Sequence, residues 1–144
     1  MKRGDTWLLW AGVATVGATG IAYGWMRYLC TPGDPFAAIN HPWQPAMQGL
    51  HILCAPILVA ALGTIWGGHA RPRLTLGARP ERRLTGLAVL LVSGAMVLSG
   101  YALQVAADAT WRRVWVVAHV ACSVAWLAGT GAHALGFGSG VEAR

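Results

Sequence analysis

The chain has 144 residues, 56% of them hydrophobic and 11% charged, with a net charge of +6 at pH 7 and a mean hydropathy of +0.50. A soluble domain carries charge on about a quarter of its residues, so this composition excludes an ordinary soluble enzyme. Nucleic-acid binding is not indicated either, because the positive residues gather in short connections between apolar runs.

Four runs are long enough to cross a bilayer, which takes about 20 apolar residues. The first, 7–27, reads "WLLWAGVATVGATGIAYGWMR". Its apolar stretch exceeds that of a signal peptide. No small-residue cleavage site follows in "MRYLCTPG", and Cys30 lacks the small residues of a lipoprotein signal, so the run is expected to stay as a helix. The connection after it, 28–45, contains four prolines in "LCTPGDPFAAINHPWQP" and is expected to be ordered by them.

The second run, 46–68, leads into a loop bearing Arg71, Arg73, Arg79, Arg82 and Arg83. The third run is 84–105, and the fourth, 112–137, follows a short link. None alternates apolar and polar residues as a barrel strand does. The expected fold is therefore all-α: one domain over 1–144, an up-down four-helix transmembrane bundle.

Short loops rich in Lys and Arg stay cytoplasmic. Lys2, Arg3 and the arginine loop place both termini and residues 69–83 inside, while Arg27, Arg112 and Arg113 run against the rule. Trp7, Trp25, Trp43, Trp66 and Trp111 fall near span ends, where indole rings favour the interface. Cys30, Cys54 and Cys122 form neither a metal spacing nor a disulfide framework.

Of five histidines, His41 lies in the outer loop and the other four on only two runs: His51 and His69 on the second, His119 and His133 on the fourth. At about 100° per residue, an 18-residue interval returns to the same helix face and a 14-residue interval misses by about 40°. In an up-down bundle these two helices are parallel, with His51 and His119 at one depth and His69 and His133 at another. An ionisable side chain in a membrane faces the interior and needs a partner. Two facing imidazoles suit the two axial positions of a haem iron, each giving one neutral nitrogen. Gly86 and Gly100 on the third run, also 14 apart, offer slim neighbours for a flat ring, and Gly12, Gly17, Gly20 and Gly24 thin the first run. Arg112 and Arg113 outside, and the arginine loop inside, are candidate partners for propionates.

Competing chemistries fit less well. Zinc wants three or four ligands at one site, and the chain has no H-E-x-x-H motif. Asp5, Asp34, Glu81, Asp108 and Glu142 all lie at ends or in loops, which removes the carboxylate relay of a pump and the paired acids of a hydrolase. Covalent haem attachment is not expected, because C-x-x-C-H is absent. His41 opens "HPWQP" and reads first as a solvated loop residue, with donation to a quinol headgroup or haem edge as its functional alternative.

With four spans, histidines on the second and fourth, and the 14-residue intervals in "HVACSVAWLAGTGAH" and "GLAVLLVSGAMVLSG", the chain resembles the dihaem cytochrome b families. These include the haem-binding helices of quinol–cytochrome c reductases and the small b-type subunits of bacterial dehydrogenases and hydrogenases. The resemblance spans nearly the whole chain and lies in spacing more than wording. It implies electron transfer across the bacterial inner membrane by two bis-histidine haem b groups, His51 with His119 outside and His69 with His133 inside. It also implies membrane lipid, quinone and other subunits of a redox complex as partners, with a c-type cytochrome or iron–sulfur protein on the outer side. The family's two histidine intervals are near-equal. Here 18 residues rise about 27 Å and 14 about 21 Å, so a single haem on His51 and His119 is the narrower form of this expectation. The competing class is a non-redox structural or assembly subunit.

Overall fold

A computed structural model describes residues 3–75 and 80–135. Lys2, Arg79, Glu142 and the last two residues of the fourth expected span lie outside the described residues, as do the side chains of Glu81 and Arg82. Helix α1 is Arg3–Tyr28 and α2 is Gln44–Ile65; α2 continues through a π-helical segment, Trp66–Ala70, into the short α3, Arg71–Thr75. Helices α4, Pro80–Val105, and α5, Ala109–Leu135, follow. Among the described residues there is no strand. Four of these helical stretches are long and apolar enough to cross a membrane, so the chain is an all-α, multi-pass membrane protein. The second stretch outruns its expected end at residue 68, because the helix carries through the π turn to Thr75.

The chain divides into two compact units, Met1–Pro72 and Arg73–Arg144. Each is an antiparallel helical hairpin. In the first unit α1 meets α2 in descending register, with Gly20 opposite His51, Gly12 opposite Leu58 and Asp5 opposite Gly68. In the second, α4 meets α5 with Gly100 opposite His119, Val89 opposite Gly129 and Gly86 opposite His133. Lipid tails are as apolar as leucine, so hydrophobicity does not join helices inside a bilayer; close packing does. Gly12 shows how: a Cβ there would stand 3.1 Å from the Leu58 Cα. Outward, Leu53, Leu98, Val105 and Val117 are exposed, as lipid-facing side chains are.

The helix ends follow local chemistry. Pro45 sits in the first turn of α2, where its missing N–H costs nothing. Pro56, inside α2, removes the amide that would bond the Ile52 carbonyl and so loosens the helix there. Asp108 caps α5: its Oδ1 accepts the backbone N–H groups of Thr110 and Trp111, both at 2.9 Å. Replacing Asp108 by alanine should lower stability by about 1 kcal/mol, the typical worth of such a cap. Unfolding of the detergent-solubilised protein would measure this, and an unchanged midpoint would show that the cap is dispensable.

Candidate functional site: histidines seated on glycine

His119 lies on α5, and its ring meets α4 at Gly100. A Cβ built on Gly100 would stand 3.1 Å from the ring Cε1 and 3.3 Å from Nδ1. That Nδ1 is 3.0 Å from the Met96 carbonyl oxygen. A carbonyl only accepts, so Nδ1 carries the proton, and in a neutral imidazole Nε2 then holds the lone pair. Ser99 donates its own proton to the Met96 carbonyl at 2.9 Å. Its oxygen therefore turns lone pairs toward the same Nδ1–H, at a longer 3.4 Å.

The first unit repeats this arrangement with other residues. His51 on α2 covers Gly20 on α1 so closely that a Cβ on Gly20 would stand 2.8 Å from Cε1. Nδ1–H donates to the Val16 carbonyl at 3.1 Å, and Thr19 Oγ1 lies 3.2 Å from the same nitrogen. Thr19 in turn donates to the Thr15 carbonyl at 2.7 Å. In both hairpins the accepting carbonyl stands four residues before the glycine and the hydroxyl one before it, in "VGATG" and "MVLSG". On an α-helix these positions share a face, one turn apart.

His133 likewise covers a glycine and meets a hydroxyl of the facing helix. Its Cε1 would be 3.4 Å from a Cβ on Gly86, and Thr85 Oγ1 is 3.1 Å from its Nδ1. The nearest neighbours of Gly86 and Gly100 are thus imidazoles of the adjacent helix.

Comparison with family models, with curated proteins and with solved structures gives no match.

His69 stands apart from the other three. It lies in the π-helical segment, and the carboxylate of Asp5 is 3.5 Å from where a Cβ on neighbouring Gly68 would be. Fourteen residues before Thr19 and Gly20, where a second hydroxyl–glycine pair would match α4, α1 carries Asp5 and Thr6. A π turn closes i→i+5 instead of i→i+4, so residues beyond Ile65 lag behind α-helical phase. The five-turn relation expected between His51 and His69 holds only for an unbroken α-helix.

The remaining candidates are more open. Arg112 and Arg113 are exposed near the start of α5. His41 is held in the loop: its Nδ1 accepts the Trp43 N–H at 3.2 Å, and its ring lies 6.0 Å from that of Trp25. Among the described residues no three His, Cys, Asp or Glu side chains gather as a metal cluster.

Residue counting alone overlooks the hydroxyls. Their signal is a Ser or Thr immediately before glycine, at 19–20, 85–86 and 99–100. It is not sufficient by itself: Ser93–Gly94 has the same form, yet nothing lies within 4 Å of a Cβ on Gly94.

Proposed function

We propose that the chain is a b-type cytochrome carrying electrons across a membrane, with His51 and His119 giving the two axial nitrogens of one haem b, and His133 and His69 serving a second. The observation that supports this is the repeated seat. In two separate hairpins a membrane histidine presents the same neutral tautomer, with Nδ1–H fixed on a main-chain carbonyl and the lone pair on Nε2. That is what an axial ligand requires, since the bond at the far nitrogen sets which nitrogen binds metal and how the ring is turned.

The residues fit the group at three of the four positions. His51 and His119 have a fixed tautomer, and all three seated rings pack against a glycine. His69 lies in the π-helical segment, out of α-helical phase with His51, so the narrower form of the reading is one haem on His51 and His119. The haem supplies reversible one-electron chemistry; the chain supplies two neutral nitrogens, their orientation, and apolar surroundings. Arg112 and Arg113 stand at the positive end of the α5 dipole, where cations are disfavoured, and a propionate or lipid phosphate beside them would offset that cost.

In the cell we place the protein in a bacterial inner membrane, both termini cytoplasmic, as a subunit of a redox complex. Its electrons would pass between quinone and a partner such as a c-type cytochrome or iron–sulfur protein. The test is the haem content of chain purified from haem-replete cells, by the pyridine haemochrome method. Two protohaems per chain are expected, or one if only His51 and His119 ligate. A folded, helical, colourless preparation would overturn the reading and leave a structural or assembly subunit.

A further inference from the structure

We infer that Thr19, Ser99 and Thr85 are positioning residues that set redox potential through the histidines they touch, Thr19 and Ser99 acting on one haem and Thr85 on another. The inference rests on the haem reading above, and its test separates the two.

Intramembrane Ser and Thr commonly bond a carbonyl of their own helix and do nothing more. Thr15, Thr64 and Ser93 do this here, on the carbonyls of Ala11, Ala61 and Leu90. Thr19 and Ser99 also bond their own helix, but each places its oxygen against the Nδ1 of a histidine from the facing helix. Thr85 does the same at 3.1 Å. In all three cases the next residue is the glycine that the ring covers. Hydroxyl and glycine therefore act as one device: the missing Cβ admits the ring, and at Thr19 and Ser99, whose own protons go to main-chain carbonyls, the oxygen receives the ring N–H. Ligation by His133 through Nε2 would require the same direction at Thr85.

An acceptor on Nδ1–H pushes electron density into the ring and makes Nε2 a stronger donor. A stronger donor favours oxidised over reduced iron and lowers the potential. Main-chain carbonyls cannot be removed by substitution, whereas the hydroxyls can. Thr19→Val, Ser99→Ala and Thr85→Val each remove one acceptor and little volume. Each should raise the potential of the haem its histidine serves.

The experiment is a spectroelectrochemical titration of the purified full chain, with haem content and the EPR signals of the oxidised protein recorded for every variant. Thr19→Val and Ser99→Ala are expected to shift the same redox component upward, and Thr85→Val the other. In a single-haem protein the first two shift it and Thr85→Val does not. Thr19→Ser and Ser99→Thr, which keep the oxygen, should hold the wild-type potential. Full haem content with unmoved potentials in Thr19→Val and Ser99→Ala would overturn the inference, as would shifts in two different components. Should Thr19→Val lose its haem, Thr19→Ser decides: haem kept at wild-type potential supports the hydroxyl, and haem lost there assigns the residue to packing alone. Wild-type chain without haem would instead strike at the function reading.

Discussion

Replacing His119 by alanine is expected to remove one haem per chain and to leave the hairpin of α4 and α5 intact. The stability cost should be modest. The two acceptors that lose the imidazole remain engaged: Ser99 still donates to the Met96 carbonyl, and that carbonyl belongs to an unbroken helix. The ligation cost is large, because the imidazole itself is the group seated on Gly100: the three atoms nearest a Cβ there all belong to His119. His51→Ala should remove the same haem and His133→Ala the other. His119→Gly in the presence of free imidazole should regain the lost absorbance, since the ring then returns without its tether. Pyridine haemochrome and reduced-minus-oxidised spectra measure all of these. Loss of one and the same haem from His51, His119, His69 and His133 variants alike would break the assignment of two sites. Full retention in His119→Ala would end the proposed ligation.

The spans were readable because hydrophobic length is a direct demand of the bilayer. The contact of Gly86 with His133 and of Gly100 with His119 was half-readable. Two antiparallel helices advance by equal steps, so a 14-residue interval on each keeps both contacts in register. The role of those glycines was harder to see, because a slim helix surface suits a flat cofactor and an imidazole equally well. Gly20 was hidden in another way. It is one of four glycines on the first run, and only the facing helix distinguishes it: nothing lies within 4 Å of a Cβ on Gly17 or Gly24, whereas Gly20 is pressed against His51. The π turn had the faintest trace, the Gly67–Gly68 pair before His69. Adjacent glycines weaken α-helical geometry without saying which alternative replaces it.

The three glycine seats differ in tightness, and that difference yields a graded result. Gly20→Ala should damage haem retention most, Gly100→Ala less and Gly86→Ala least. The new Cβ would stand 2.8 Å from the His51 ring, 3.1 Å from that of His119 and 3.4 Å from that of His133. The last distance is ordinary contact; the first is an overlap. His51 cannot yield freely, because swinging Cε1 away also draws Nδ1 from the Val16 carbonyl. Two effects compete. Alanine in a helix gains about 1 kcal/mol over glycine, while forcing a methyl into a filled site costs roughly 1–3 kcal/mol. At Gly86 propensity wins or balances; at Gly20 overpacking and the strained hydrogen bond win together. A loss of about 1.4 kcal/mol is tenfold in an equilibrium constant, so haem affinity in Gly20→Ala should fall by about that factor or more. Gly17→Ala and Gly94→Ala, with open space at the Cβ, serve as controls and should match or exceed wild-type stability. Haem release to apomyoglobin, followed by absorbance, ranks the series. Equal retention by Gly20→Ala and Gly17→Ala would mean that the ring against Gly20 is not a seated ligand.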